Sequence, residues 1–267
     1  MTDSEQDSVT VDVQDHVAWL TLNRPAALNA LSTDVLRALE DGVDGAARDR
    51  RVRVVVLRAL GKAFSAGHDL KELIAAPDLG TGRAIFQACA RVMGKIHDLR
   101  QPVIAQVDGI AAAAGCQLVA QCDLAIASTR SRFATSGINL GLFCATPAVP
   151  LSRAVGRKAA ADMLFTGRFV DANEAQTLGL INRAVGAEVL DAEVENLALE
   201  IASKSPAAIQ AGKRLLNAQM DRSVPDAYAI AIDAIGANLH FPDAQAGIRA
   251  FLEKRPAPDW PDPQDLD

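Results

Sequence analysis

Two short stretches of this chain carry residue types and spacings that could do chemistry, "KAFSAGHDLKEL" (62–73) and "GIAAAAGCQLVAQCD" (109–123). Each combines small side chains with a passage from strand to loop or from loop to helix. At such points backbone N–H groups lack an intrahelical partner and can point at an anion or a polarised carbonyl. A thioester carbonyl gains negative charge as it reacts, and two N–H donors fixed in advance stabilise that charge. Small residues allow an acyl group close to the backbone, which a branched side chain would prevent. By itself the run Ala111 to Gly115 supports two readings equally, close helix packing and an oxyanion site.

The side chains around these stretches are mostly uncharged. Gln117 is an amide: it can orient a water but cannot take its proton. The His68 imidazole, with an unperturbed pKa of about 6.5, suits a base; the preferred reading is that its backbone acts while the ring is packed or solvated. Cys144 in "GLFCATP" is either a nucleophile or a small buried hydrophobe, and the second is preferred. Cys116 and Cys122 read as helix-packing thiols. Asp123 is expected to cap or orient the adjoining strand, and Asp162 to be a solvated or paired helix residue. "FSAG" around Ser65 lacks the GxSxG frame of a nucleophile elbow, which argues against a serine hydrolase.

The elements that must position these groups follow from periodicity. Val9, Val11 and Val13 alternate with polar residues, and a turn at 14–16 leads to the apolar run Val17 to Leu22, an opening hairpin. Residues 33–48 put Val35, Leu36, Leu39 and Val43 on one helical face. "VRVVVLRAL" (52–60), "PVIAQVDG" (102–109) and "CDLAIAS" (122–128) read as strands buried on both faces, parallel and joined by right-handed crossovers. "SRFATS" (131–136) is a short strand, and one helical region runs from about 147 to 165. Asp171 and Glu174 form a capping-box pattern. From residue 191 the pattern is helical almost to the end. The fold class is α/β, with an expected core over 1–200 and a helical oligomerisation region over 201–267.

Composition limits the function classes. The 267 residues carry a net charge of −6 with 49% apolar residues, ample for a large core and without electrostatic reason to bind nucleic acid or an anionic membrane. No apolar run has the length of a membrane span. The acidic, polar start "MTDSEQDSVT" has neither the order of a secretory signal nor the arginine-rich character of a transit peptide. The four cysteines and four histidines show no zinc-like spacing, so no metal is expected. Free thiols and that start together place the chain in the cytoplasm.

The sequence resembles the crotonase superfamily, the enoyl-CoA hydratase/isomerase fold, over nearly its whole length. The resemblance is carried by "LNRPAALNALS" (22–32), "GKAFSAGHDLKEL" (61–73), "QPVIAQVDGIAAAAGCQLVAQCDLAIAS" (101–128), "LSRAVGRKAAADMLFTGR" (151–168), "EAQTLGLINRAV" (174–185) and "AFLEKRPAPDW" (250–260). Several such blocks in order are far more specific than any one. "AAGCQLVAQCDLAIAS" and "FATSGINLGLFCATP" are most similar to the branch called enoyl-CoA hydratase domain-containing protein 3.

The resemblance implies a spiral of ββα units, a C-terminal helical trimerisation region, a homotrimer or hexamer, and binding of acyl-CoA thioesters, with coenzyme A as part of the substrate and no separate cofactor. It places the oxyanion hole at the backbone N–H groups of His68 and Ala114. Ala27, Leu28, Ala66, His68, Asp69, Leu70, Ala113 and Ala114 would follow the bound CoA, and Phe251 and Lys254 would close over its phosphates. Ala113 and Ala114 stand where relatives usually have glycine. Hydratases of the family carry glutamates at the positions of Gln117 and Gly137. Positioned acid–base groups contribute roughly 10²–10⁴-fold, so this chain is expected to keep oxyanion stabilisation without efficient ordinary hydration. Three functions follow: a hydratase-like lyase, isomerase or thioesterase of fatty-acid or related acyl-CoA metabolism, a non-catalytic acyl-CoA binding or regulatory protein, and an interaction subunit.

Overall fold

In the computed structural model, which describes residues 7–261, β1 (Val9–Gln14) pairs antiparallel with β2 (Val17–Leu22), Val9 opposite Leu22 and Gln14 opposite Val17. Asp15 and His16, with φ of 47° and 67°, make the left-handed two-residue turn whose twist matches the flanking strands. Helix α1 (Thr33–Arg48) follows; the Ser32 hydroxyl accepts from the Val35 N–H at 3.3 Å, and the face bearing Val35, Leu36, Leu39 and Val43 is buried as its period requires.

Three strand–strand–helix units come next. The first holds β3 (Val54–Ala59), β4 (Ala63–Ser65), α2 (Leu70–Ala75) and α3 (Leu79–Asp98). The second holds β5 (Val103–Val107), β6 (Ile110–Ala112) and α4 (Ala114–Gln121). The third holds β7 (Leu124–Ser128), β8 (Arg132–Ala134), α5 (Ala145–Ala154) and α6 (Arg157–Thr166). After β9 (Val170–Asp171), α7 (Ala172–Leu178) and β10 (Arg183–Val185) the chain is helical: α8 (Leu190–Ala202), α9 (Pro206–Gln219), α10 (Val224–Leu239) and α11 (Pro242–Leu252).

Each unit gives its first strand to one sheet, ordered β1-β2-β3-β5-β7-β10, and its second to another, ordered β4-β6-β8-β9. Except for the pairs β1–β2 and β8–β9, the pairing is parallel. This is the expected spiral of ββα units. One face of the larger sheet packs on α1 and α3 through Leu20, Leu57 and Val103. The other puts Val17, Val54, Val56, Ile104 and Ile126 against Leu190, Val194 and Ala198 of α8. Burial on both faces explains why β3 and β5 read as continuous apolar runs.

Three local expectations change. The single helical region near 147–165 is two helices, because Gly156 takes an extended conformation and starts α6 afresh. At α7, Asp171 accepts the Glu174 N–H at 2.8 Å, but the Glu174 carboxylate does not complete the box. It binds Arg168 at 2.5 and 2.9 Å, and Arg168 also pairs with Asp162 at 2.6 Å, the partner expected for that residue. Asp123 orients β5 rather than the adjoining β7 that was expected: its carboxylate accepts the Val103 N–H at 2.7 Å. It also accepts from the buried Lys213 at 2.6 Å, whose ammonium donates further to the Ile96 and Gln101 carbonyls at 3.1 Å. Lys213 thereby bolts α9 to the body. Helix α10 has no buried residue, and Tyr228, Ile232, Ile235 and Leu239 are exposed along it. No helix among the described residues is long and apolar enough to cross a membrane.

Candidate active site

The segment 24–31 is fixed against β4 by Asn29, which the sequence reading passes over. Its side-chain amide donates to the carbonyls of Leu60 at 2.9 Å and Ala63 at 2.8 Å, while its Oδ1 accepts the Arg24 N–H at 2.8 Å. Ser65 Oγ donates to the Asn29 carbonyl at 2.8 Å. Leu28 and Asn29 both have positive φ, 52° and 51°, so the loop folds back on itself. The local signal was an asparagine, tolerant of that conformation, a few residues after Pro25. Its effect is to lay 28–31 beside 66–69: the Ala66 N–H donates to Leu28 O at 3.0 Å and the Leu31 N–H to Gly67 O at 2.8 Å. Ala27, Leu28, Ala66, His68, Asp69 and Leu70 thus form one contiguous edge. Asp69 caps α2, accepting the Lys71 N–H at 3.0 Å, and Leu70 is exposed.

The two N–H groups come together because Gly67 lets α4 approach. A Cβ on Gly67, whose φ is +96°, would lie 2.9 Å from the Ala113 Cβ, 3.0 Å from the Ala112 carbonyl and 3.2 Å from the Ala114 nitrogen. One residue further on, a Cβ on Gly115 would lie 2.3 Å from the Ser65 carbonyl. The His68 N–H belongs to the peptide unit after Gly67, and among the described residues it donates to no protein acceptor. The Ala114 N–H, first of its helix, is likewise unpaired among the described residues. Ala113 sits at φ 48° and ψ −115°, a conformation natural to glycine, and is held there by N–H donation to Ala134 O at 2.8 Å and by Gln117 N–H donation to its carbonyl at 3.0 Å. The strained residue aims the helix start.

The two side chains of this site that could move a proton, His68 and Gln117, are uncharged. The His68 ring packs edge-on to Phe86 with centroids 5.0 Å apart, and its Nε2 is buried without a partner among the described residues. Burial lowers its pKa to about 4, opposed by the nearby Glu72 carboxylate, so the imidazole is uncharged at neutral pH. The Glu72 carboxylate is itself engaged by the Thr33 N–H and hydroxyl, both at 2.9 Å. Gln117 is buried, with the Cys89 thiol 3.9 Å from its Oε1. Gly137 has no room for a side chain: a Cβ would lie 2.5 Å from the Leu142 carbonyl and 2.9 Å from the Cys144 sulfur. Burial raises the Cys144 thiol, and pushes those of Cys89 and Cys116 up to about 12, so these sulfurs are protonated packing groups.

A cavity of about 720 Å³ opens beyond Gln117, between α3, α4, α5 and α9, lined by Met93, Val119, Val149, Pro150, Leu216 and Met220 among others. Phe251 and Lys254 stand apart from the site. Phe251 is 82% exposed at the end of α11, Lys254 follows it, and no described hydrogen bond, ion pair or ring contact joins either to the His68–Ala114 pair. Among the described residues no three His, Cys, Asp or Glu side chains gather as metal ligands.

Known proteins share this architecture. The sequence model of the enoyl-CoA hydratase/isomerase family matches residues 12–263. The chain belongs to that family. It is 43% identical over 253 residues to the enoyl-CoA hydratase domain-containing protein 3 of Xenopus laevis, covering 94% of this chain and 86% of that one. A crystal structure of an enoyl-CoA hydratase of Mycobacterium smegmatis superposes with a TM-score of 0.93 at 50% identity, covering 95% of this chain and 99% of that one. The human enoyl Coenzyme A hydratase domain-containing protein 3 superposes with a TM-score of 0.90 at 41% identity, covering 94% and 99%. The expected cytoplasmic location is corrected by these family members: five vertebrate relatives of that name are each named mitochondrial. Free thiols report only a reducing compartment, and residues 1–6 of the start used for that expectation lie outside the described residues.

Proposed function

We propose that this family member binds acyl-CoA thioesters and polarises the thioester carbonyl between the N–H groups of His68 and Ala114. The observation that carries the reading is the pair of unpaired, adjoining N–H donors held by Gly67 and the strained Ala113. Each donor of such a hole is worth roughly 10²–10³-fold. No carboxylate stands at Gln117 or Gly137, and His68 is neutral, so hydration of an ordinary enoyl-CoA is at or near background. The chemistry supported is that of an enolate held by donors, in a lyase- or isomerase-type reaction, or acyl-CoA binding without turnover. Substrate and CoA contacts run along Ala27, Leu28, Ala66, Asp69, Leu70 and Ala113.

The second part of the proposal is assembly. The oligomerisation region is taken as 201–267, of which 262–267 lie outside the described residues, and a homotrimer or hexamer would cover the apolar stripe of α10. Phe251 and Lys254, exposed and apart from the protomer's own site, then reach a neighbour's CoA phosphates. Calorimetry with saturated, enoyl-, hydroxyacyl- and dicarboxylyl-CoA esters, followed by mass spectrometry of the same mixtures, separates binding from turnover. The absence of heat with every ester refutes the proposal.

A further inference from the structure

The cavity of about 720 Å³ lies in a different part of the molecule from the His68–Ala114 pair. Gln117 lines it, but none of His68, Ala114 and Gly137 does. Five helices bring their C-terminal ends to it. Its walls include His97 near the end of α3, Gln121 at the end of α4, Ala154 at the end of α5, Gly179 just past α7 and Met220 just past α9. A helix C-terminus carries a partial negative charge and leaves carbonyls without intrahelical partners. The carbonyls of Ala120, Gln121 and Ala154 accept no hydrogen bond among the described residues.

Two carboxylates in the lining have the same sign. Asp123 accepts from Val103 and Lys213 through Oδ2, which leaves Oδ1 without a partner among the described residues. Lys213 offsets that charge from behind: it does not line the cavity, and its three donors are taken by Asp123, Ile96 and Gln101. Asp221 stands 3.9 Å from Arg153, the only arginine or lysine among the lining residues. The His97 ring is held by Asp98 at 2.8 Å. Between these acceptors the wall is apolar, through Met93, Val119, Val149, Pro150, Leu216 and Met220.

The geometry points to a second binding site in this cavity, for a small organic cation: a primary ammonium carrying an apolar chain. The ammonium brings three N–H donors to carbonyls and a carboxylate oxygen that have none, and the chain covers the apolar wall. A neutral alcohol offers one donor and no charge, and a carboxylate meets the helix ends with the wrong sign. The volume is that of a small-molecule pocket. The inference goes beyond the acyl-CoA reading and does not rest on it.

Calorimetric titration of the full chain with hexylammonium, hexanol and hexanoate at constant ionic strength tests this. Hexylammonium is expected to bind about tenfold more tightly than hexanol, the difference between a charge-assisted and a neutral hydrogen bond, and hexanoate more weakly than either. Arg153→Ala removes the competing cation and should tighten hexylammonium about two- to fivefold, while Asp221→Ala should loosen it by a similar factor. Both side chains are largely exposed, so neither change touches the core. Val149→Trp, also at an exposed position, should fill the cavity and weaken binding at least about tenfold. Saturating butyryl-CoA should leave the hexylammonium affinity unchanged. Equal binding of the three probes, tighter binding of hexanoate, or no heat with hexylammonium overturns the inference, and competition with butyryl-CoA overturns the assignment of a second site.

Discussion

Replacing Ala113 by glycine should make this protein more stable, the reverse of what removing a methyl group from an ordered residue usually does. Ala113 holds φ 48° and ψ −115°, with both its N–H and its carbonyl engaged, so the strain cannot relax locally. Such a conformation costs an L-residue about 1–3 kcal/mol. Glycine removes that strain, against about 0.5–1 kcal/mol of extra unfolded-state freedom and at most about 0.8 kcal/mol for the lost methyl contacts. The balance is a gain on the order of 1 kcal/mol, which for a chain of this size raises the melting midpoint by about 2–4 °C. The donors stay in place, so acyl-CoA affinity should not fall. The converse, Gly67→Ala, should destabilise, since its φ is +96° and the new Cβ would meet the Ala113 methyl at 2.9 Å. Combining the two should rescue only part of the loss, because the 3.0 Å approach to the Ala112 carbonyl remains. Scanning calorimetry of the four proteins decides. A midpoint lowered by Ala113→Gly would refute the account of the helix start as strained.

Other outcomes follow from the same geometry. Lys213→Met should lower stability by about 3–5 kcal/mol in urea titration, because it leaves Asp123 without its buried partner. His68, held near 4 in the fold against 6.5 when free, is protonated first in the unfolded chain; its contribution to stability is complete above about 6.5 and falls as pH drops toward 4. Denaturation midpoints measured across that window should flatten in His68→Phe. Gly137→Glu should fail to restore hydration of crotonyl-CoA and should lower the melting temperature, since the Leu142 carbonyl lies 2.5 Å from the new Cβ. The pair Ile232→Asp and Ile235→Asp on α10 should shift the protein to monomers in light scattering, while a monomeric unaltered protein would contradict the assembly proposed above.

Periodicity and composition determined much of this protein. The hairpin, α1, the doubly buried strands and the helical C-terminal region were legible because each depends on local side-chain period, which the chain carries residue by residue. The blocks around "FSAGHDL" and "AAGCQLVAQCD" marked the candidate oxyanion donors, since small residues and a helix start are local features too. What the sequence could not decide depends on contacts between distant segments. Asn29 has no signal in the sequence for the three partners, Arg24, Leu60 and Ala63, that its side chain binds. Nothing along the chain joins Lys213 to Asp123; only the placement of α9 brings the two together. Gly137 looked like a lost side chain, and only the fold shows that the Leu142 carbonyl and Cys144 sulfur occupy the space a Cβ would take. The pKa of His68 depends on burial, opposed by the Glu72 carboxylate, and neither is readable from the residues beside it in the chain. Secondary structure and donor-bearing loops follow from neighbours along the chain; burial, charge state and orientation follow from neighbours in space, which only the tertiary structure supplies.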